Sequence, residues 1–333
     1  MMSYLLDSDK TWLLEEADAK SSRTLAQESG LSTLSAAFLI KRGISSAHEV
    51  KKFFNPASNM QEDPIMLPDI KKASQRIMQA IKNDELIYIH GDYDVDGITS
   101  TTLLYEILKK MKAKVRYHIP CRFNEGYGLN KKSLNKIINE GAKLLITVDC
   151  GIKSFSEVNY AKKKGLDVVI TDHHEPGEKW PSALAVVNPK LPHSNSSNRD
   201  IAGVGVSLKL AQVLTDDSLD QYYDLVALGT VADIAPLLNE NRYFAKKGLS
   251  LLNNKKRLGL EKLAEVAGVK NRKVTSETLG YILAPRLNAS GRISNANVCV
   301  ELLTTNDESK AQEIAQLLNN ANKKRKQIEQ KML

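Results

Sequence analysis

The sequence lacks the features that would direct it to a membrane or to the cell exterior. None of its apolar runs approaches the roughly 20 residues that a membrane-spanning helix needs. Its first residues do not combine a basic segment with an apolar one, as a signal peptide does. Three cysteines in 333 residues are too few, too far apart and odd in number for a disulfide framework. These absences predict no membrane association and a reducing cytoplasm, and the lack of any CxxC pair excludes a zinc ribbon.

Aromatic residues are also scarce, whereas positive charge is in excess. Phe, Trp and Tyr make up 6% of the chain, which argues against an extensive platform for stacking bases. The formal net charge is +8, and basic residues gather at 162–164, 255–257, 270–273 and 323–326. Such runs favour a polyanionic partner. Each run taken alone is more simply a solvated helix face.

Three clusters of aspartate and histidine are the most informative feature that the chain does have. They read His-Gly-Asp-Tyr-Asp-Val-Asp-Gly at 90–97, Val-Asp-Cys-Gly at 148–151 and Thr-Asp-His-His at 171–174. Each follows a short apolar run of the kind that forms a buried parallel strand. Because the carboxyl ends of parallel strands share one edge of a sheet, and ligands bind there, we expect the three clusters to meet.

The chemistry of these clusters predicts a metal site for two ions. At least five carboxylates and three imidazoles would meet, which is more negative charge than a protein holds together without cations. Mixed carboxylate and imidazole ligands suit Mn²⁺, and Mg²⁺ where oxygens dominate. A carboxylate that bridges two ions about 3.5–4 Å apart would set up an in-line displacement at phosphorus. A single aspartate after a strand is often only a helix N-cap, but three clusters at three strand ends are poorly explained by caps.

The order of apolar periodicities predicts an α/β fold with a doubly wound, mainly parallel sheet, an N-terminal helical extension and C-terminal helices. We expect the extension at 1–57, the catalytic α/β domain at 58–235, a helical part of the core at 236–306, and the start of a linker helix at 307–333. Expected strands lie at 85–90, 114–119, 143–148, 167–171 and 184–187. Expected helices lie at 71–81, 97–111, 131–140, 154–164, 204–214 and 221–232, with Asp94 and Asp96 on the loop that enters the helix at 97.

The clusters at 90–97 and 172–174 resemble the DHH phosphoesterase superfamily, and within it the RecJ-type exonucleases, which degrade single-stranded DNA in the 5′→3′ direction. Further similar stretches are Ile-Pro-Cys-Arg-Phe-Asn-Glu-Gly-Tyr-Gly at 119–128, Gly-Thr-Val-Ala-Asp-Ile-Ala-Pro at 229–236 and Pro-Arg-Leu-Asn-Ala-Ser-Gly-Arg at 285–292. The segments 42–44 and 53–56 are similar to the lead-in of these enzymes. The resemblance covers nearly the whole chain.

The resemblance implies a set of metal ligands. One ion would be held by His90, Asp94 and Asp149, and the second by Asp96, Asp149, His173 and Asp233, with Asp149 as the bridge. Asp233 cannot be found from spacing, because Ala-Asp-Ile at 232–234 reads equally well as the end of a helix. Asp92 and Asp172 would orient the ligands. His174 would face the scissile phosphate as a hydrogen-bond donor.

The resemblance also implies residues that bind DNA, namely Arg122, Arg286, Asn288, Ser290 and Arg292. The planar fork of arginine matches phosphate geometry. For Arg122, a candidate for the 5′-phosphate, the alternative is a surface salt bridge. For 288–292 the alternative is a plain turn between helices.

As a whole, the resemblance implies an exonuclease with two Mn²⁺ or Mg²⁺ ions, which converts single-stranded DNA to 5′-mononucleotides in repair and recombination. Partners by resemblance are single-strand binding protein and a RecQ-type helicase. The Gly-Gly-Gly-His motif and the OB-fold of the family are missing, which implies a catalytic core cut from a longer enzyme. The alternatives are another DHH phosphoesterase, acting on short oligoribonucleotides, cyclic dinucleotides or pyrophosphate, and a scaffold without activity.

Overall fold

The structure is a computed structural model, and it describes residues 18–121, 126, 128–254, 257–292 and 296–332, without the side chain of Arg292. The chain separates into two compact units, Met1–Ala57 and Ser58–Leu333. In the first unit three short helices follow one another: α1 (Ala19–Ser29), α2 (Thr33–Ile40) and α3 (Ala47–Phe54). Each begins after a side chain that accepts a backbone hydrogen bond, and α3 carries a complete capping box of Ser46 and Glu49. The predicted N-terminal helices are confirmed.

The second unit is built on a parallel sheet of five strands. The strands are β1 (Ile87–Gly91), β2 (Val115–His118), β3 (Leu144–Val148), β4 (Asp167–Thr171) and β5 (Ala185–Val187). They lie in the order β2-β1-β3-β4-β5. The direction of winding therefore reverses between β1 and β3, which is the position where open α/β sheets bind their ligands.

Helices cover both faces of this sheet and continue beyond it. They are α4 (Ile70–Lys82), α5 (Val95–Lys110), α6 (Lys131–Asn139), α7 (Phe155–Lys163), α8 (Gly203–Leu214), α9 (Tyr223–Ala232), α10 (Asn239–Asn254), α11 (Leu258–Val266), α12 (Ala284–Asn288), α13 (Val298–Thr304) and α14 (Glu308–Met332). A π-helical segment, Thr278–Leu283, precedes α12. None of the helices in the described part of the chain has the length and apolarity to cross a membrane.

Alternation along the strands divides the core into two layers. Ile87 and Ile89 pack in the larger cluster, which also holds the buried sides of α4, α5 and α8. Tyr88, between them, points to the other face and packs with residues of α6 and α7. Side chains of a strand alternate between faces, so burial on both sides requires a layer of helices on each. The predicted doubly wound parallel sheet is confirmed.

One predicted boundary is wrong in a way that concerns the site. The sequence predicts a helix from 97, with Asp94 and Asp96 on the preceding loop, but α5 begins at Val95. The reason is that Asp94 is its N-cap: one carboxylate oxygen accepts the N–H of Gly97 at 3.0 Å. Asp96 therefore lies in the first turn of the helix, which fixes the direction of its side chain.

The segment 58–69, which precedes α4, is joined to the sheet unit by hydrogen bonds of its carboxylates. It forms two short 3₁₀ turns, Ser58–Met60 and Pro64–Met66. The carboxylate of Glu62 accepts hydrogen bonds from Ser196 Oγ and from the N–H of Ser197. Asp69 accepts the N–H of Val186 in β5 at 3.0 Å. These contacts explain why 58–69 belongs to the second compact unit.

Candidate metal centre

The strand register brings the three acidic clusters together. Gly91 pairs with Val148, and Val148 pairs with Thr171, so the last residues of β1, β3 and β4 form one row across the sheet. The next residues along the chain are Asp92, Asp149 and Asp172, and all three are almost completely buried. The predicted meeting of the clusters is therefore a direct consequence of parallel pairing in this register.

Asp149 lies at the centre of the site with a left-handed backbone and a carboxylate that has no hydrogen bond from the described residues. Its φ is 59°, a left-handed conformation, and its N–H donates to the carbonyl of Thr171 at 3.0 Å. Its side chain is buried, yet neither carboxylate oxygen accepts a hydrogen bond from any described residue. His173 Nε2 lies 3.0 Å from Oδ1 but forms no hydrogen bond within the described residues either. Buried polar atoms are almost always paired, so these atoms fit ligands of a cation.

Three overlapping groups of side chains have ligand atoms within 4.8 Å of one another. They are Asp96, His173 and Asp233; Asp149, His173 and His174; and Asp92, Asp94 and Asp149. The first group contains three of the four residues that the family resemblance assigns to the second ion. Asp149 belongs to two groups, as a bridging ligand would. Asp233, at the C-terminal end of α9, reaches the site with Oδ2 3.9 Å from His173 Nδ1.

Asp96 is held by the N-terminus of α8. Its two oxygens accept the N–H groups of Gly203 at 2.6 Å and Val204 at 2.8 Å. Such donors at a helix N-terminus stabilise a carboxylate. A side chain at 203 would not fit, because a Cβ there would lie 2.8 Å from Cβ of Asp149. Both oxygens of Asp96 keep further lone pairs for a cation.

Asp172 serves a different purpose, because hydrogen bonds already occupy its oxygens. Oδ1 accepts the N–H of His173 at 2.8 Å and of His174 at 3.1 Å, and lies 2.8 Å from His174 Nδ1. Oδ2 accepts the N–H of Ile152 at 2.9 Å. Burial opposes the charge of Asp172, but the hydrogen bond with His174 and these N–H donors hold its pKa below the usual value. The same contact raises the pKa of His174.

The remaining carboxylates are electrostatically unsatisfied. Burial, with the charge of Asp94, raises the pKa of Asp92 to about 7 and that of Asp233 to about 6. Burial also raises the pKa of Asp96 and of Asp149 well above the usual value, and neighbouring aspartates add to it. The shifts reflect first the cost of burying a charge and second the repulsion between neighbouring carboxylates, and bound cations would offset both.

His173 is kept as a neutral imidazole. Burial, followed by the adjacent ring of His174, lowers its pKa to about 4. A neutral ring nitrogen is the form that ligates metals. His90, at the end of β1, is fully buried, and its Nε2 lies 3.2 Å from the carbonyl of Gly128. It falls outside the three ligand groups found among the described residues, so its role as a ligand stays a prediction.

The predicted DNA-binding residues have different surroundings. Asn288 accepts the N–H of Val95 at 3.0 Å and so joins its motif to the start of α5. Ser290 is fully buried. Arg286 donates to Asn319 of α14 at 3.0 Å and to the carbonyl of Ile282 at 2.5 Å. Arg122 and the side chain of Arg292 lie outside the described residues.

The last residue of one basic run, Arg257, is held in ion pairs within the protein. Arg257, the last residue of the run 255–257, has 14% of its side chain exposed and lies 2.8 Å from Glu106 and 2.9 Å from Asp224. It also donates to the carbonyl of Leu303 at 2.8 Å. Arg257 therefore joins α5, α9 and α13, so it is neither a contact for a polyanion nor part of a solvated helix face.

Two features near the site cannot be found from the sequence. The N–H donors of α8 to Asp96 are backbone groups, which leave no signal beyond the small residue at 203. Lys190 is the second feature, because its charge acts on both His173 and Asp233. The buried Asn188 places it by accepting the N–H of Lys190 at 2.8 Å and donating to the carbonyl of His174 at 3.0 Å. No pattern in 188–190 indicates this position.

Comparison with known proteins agrees with this geometry. Residues 86–230 match the DHH family, N-terminal domain. The chain is 41% identical over 328 residues to the single-stranded-DNA-specific exonuclease RecJ of Bacillus subtilis, covering 98% of this chain and 42% of that protein. It is 36% identical over 308 residues to the RecJ of Escherichia coli, covering 87% and 53%. The chain thus spans about half the length of these relatives.

Solved structures show the same relationship. The crystal structure of exonuclease RecJ bound to manganese matches with a TM-score of 0.75 and 33% identity, over 83% of this chain and 70% of that one. The structure of RecJ from Thermus thermophilus in complex with Mn²⁺ matches with a TM-score of 0.78 and 30% identity, over 94% and 45%. With its fold, its acidic clusters and these matches taken together, the chain belongs to the RecJ family of DHH proteins.

Proposed function

We propose that the chain hydrolyses single-stranded DNA from the 5′ end to 5′-mononucleotides, with two Mn²⁺ or Mg²⁺ ions in the centre described above. The observation that carries the proposal is Asp149, whose two buried oxygens are unpaired between two groups of metal-ligating side chains. Relatives named as single-stranded-DNA-specific exonucleases, and a relative crystallised with manganese, support the substrate and the metal. The 5′→3′ direction follows from the family resemblance.

The ligand assignment is part of the proposal. Asp96, His173 and Asp233 would hold one ion, and Asp94 with His90 the other, with Asp149 shared between them. Bound divalent ions supply a hydroxide nucleophile near neutral pH and neutralise charge on the phosphate. The chain would keep Asp149 in place through its N–H bond to β4, and would aim Asp96 through the N-terminus of α8.

His174 would serve the scissile phosphate. Its Nδ1 lies against Asp172, which fixes the ring and raises its pKa, so the ring keeps a proton at neutral pH more readily than a free histidine. Nε2 is then the ring atom that can donate a hydrogen bond to a phosphate oxygen or to the leaving group. Its side chain is 42% exposed, so substrate can reach it.

We further propose that the protein acts in the cytoplasm during repair and recombination. The three cysteines are buried, and the described residues contain no disulfide, as is usual for a reducing compartment. Single-strand binding protein and a RecQ-type helicase are the partners that the family resemblance suggests. Asn288, which is exposed beside the start of α5, would contact the DNA backbone together with Arg122 and Arg292.

One assay separates this function from its alternative. The 333-residue chain is incubated with Mn²⁺ or Mg²⁺ and single-stranded DNA labelled at either end, alongside duplex DNA, pyrophosphate, a short oligoribonucleotide and a cyclic dinucleotide. We expect mononucleotides from single-stranded DNA, with release of a 5′ label before a 3′ label. Hydrolysis of a small substrate without hydrolysis of DNA would refute the proposal and favour another DHH phosphoesterase.

A further inference from the structure

An apolar side chain stands exposed next to the candidate metal centre. Ile234 follows Asp233 directly, and 88% of it is accessible. Among the described residues no other large apolar side chain is as exposed. Asp233 itself is on the open side of the site, with 26% of its side chain accessible and Oδ2 3.9 Å from His173 Nδ1. Ile234 therefore lies at the rim of the centre.

The backbone at Ile234 is one that isoleucine disfavours. Its φ is 60°, the left-handed region, where β-branched residues are rare. It ends α9 in a Schellman motif, in which the N–H of Ile234 donates to the carbonyl of Val231 and the N–H of Ala235 to that of Thr230, both at 3.2 Å. The residue at this position of the motif is usually glycine. Isoleucine thus adds backbone strain here.

The folded chain gains little from this isoleucine. An exposed side chain contributes little packing, and an apolar one in water adds no favourable interaction. Glycine would relieve the strain without removing a buried contact. A strained residue beside a functional centre is therefore better explained by an interaction made with a ligand.

We propose that Ile234 contacts the substrate, packing against the base of the nucleotide whose phosphate lies at the metal centre. This inference rests on the proposed function and specifies how the site recognises a nucleotide. The base is the apolar part of a nucleotide, whereas pyrophosphate has no apolar surface. Ile234 would therefore raise affinity for nucleic acid and leave affinity for inorganic substrates unchanged.

The test uses the full chain with Ile234→Gly and a matched control, Lys112→Gly. Lys112 ends α5 in the same Schellman motif, with a φ of 63°. Its N–H donates to the carbonyl of Lys109 and the N–H of Ala113 donates to the carbonyl of Leu108, each at 2.9 Å. It lies about 24 Å from the metal end of that helix, since 16 residues rise 1.5 Å each. Both variants relieve left-handed strain, but only one is next to the site.

Steady-state kinetics and thermal unfolding are then measured. We expect Ile234→Gly to raise KM for a single-stranded oligonucleotide about tenfold, with little change in kcat, because an apolar contact made on binding is lost. Its melting temperature should be equal to that of the unsubstituted chain or about 2 °C higher. Lys112→Gly should match it in stability and leave KM unchanged at a fixed ionic strength.

A second substrate identifies the contact. An oligonucleotide with abasic residues at its 5′ end removes the base that Ile234 would touch. On this substrate the KM values of Ile234→Gly and the unsubstituted chain should become equal. Equal KM values on intact DNA, or a difference that persists on abasic DNA, would overturn the inference while the proposed function stands. Failure of the unsubstituted chain to hydrolyse DNA would overturn both.

Discussion

Replacing Asp149 by Asn tests whether the centre is built for cations. Asn has the same shape, and it is among the residues that best tolerate the φ of 59° found here. The substitution removes one negative charge, and one oxygen of Asp149 lies within 4.8 Å of an oxygen of Asp92 and an oxygen of Asp94. At an effective dielectric constant of about 20, each ionised neighbour at that distance repels Asp149 by about 3.5 kcal/mol.

The metal-free chain lowers this repulsion by taking up protons, which is why burial and neighbouring charges raise the pKa of these aspartates. Only part of the repulsion therefore remains at neutral pH. We expect metal-free Asp149→Asn to be more stable than the unsubstituted chain by about 1–2 kcal/mol. Mn²⁺ at about 100 times its Kd should stabilise the unsubstituted chain by about 2.7 kcal/mol and the variant by much less.

Thermal unfolding with and without Mn²⁺ measures both effects, and titration calorimetry gives the number of ions bound. Asp84→Asn is the matched control, since Asp84 also has a left-handed φ, of 56°, but is exposed and precedes β1 at the opposite end of the strands. The reasoning is refuted if metal-free Asp149→Asn is clearly less stable than the Asp84 variant. It is also refuted if Mn²⁺ stabilises Asp149→Asn as much as the unsubstituted chain.

The same geometry makes three further predictions. Because burial raises the pKa of Asp92 from 3.8 to about 7, the native state binds more protons than the unfolded state between these pH values. The metal-free chain should therefore lose stability as the pH rises from about 4 to about 7. Thermal unfolding in Mn²⁺ should show a weaker dependence of stability on pH. Asp172→Asn removes the main cause of the raised pKa of His174. NMR titration should show a lower pKa of His174, and kcat should fall about 10²-fold. An unchanged pKa of His174 would contradict its contact with Asp172. Gly203→Ala places a methyl group 2.8 Å from Cβ of Asp149. Calorimetry should show that the folded variant binds metal about tenfold more weakly. An undiminished metal affinity would count against the close packing of residue 203 on Asp149.

The sequence predicts most of the fold because its strands are short, apolar and separated by amphipathic helices. The strand Asp167–Thr171 is predicted with its observed bounds, and the buried cores on both faces follow from nearly uninterrupted apolar runs. The predicted start of α5, in contrast, is two residues late. Apolar periodicity does not show which residue caps a helix. From the sequence Asp94 is interpreted as a metal ligand on a loop, and its role as the N-cap of α5 is not predicted.

The candidate site divides in a similar way. Residues that directly follow strands can be predicted to meet, since strand pairing alone places Asp92, Asp149 and Asp172 in one row. Asp233 reaches the centre only because α9 packs on α5 and α8 and ends there, and Lys190 is placed by hydrogen bonds of a loop. Such long-range packing has no period in the sequence.

Hydrogen bonding separates the aspartates more sharply than position does. The oxygens of Asp172 are occupied by three backbone N–H groups and the ring of His174, which suits a residue that orients others. Asp149 has no hydrogen bond to either oxygen from the described residues, and Asp92 has none to Oδ1. The three aspartates lie in one row, yet both oxygens of Asp172 have hydrogen bonds, whereas both oxygens of Asp149 and Oδ1 of Asp92 have none within the described part of the chain. The unpaired oxygens lie where two groups of ligand atoms overlap. Unpaired oxygens next to other ligand atoms, rather than acidic residues as a class, are therefore what supports the proposed bridging role of Asp149.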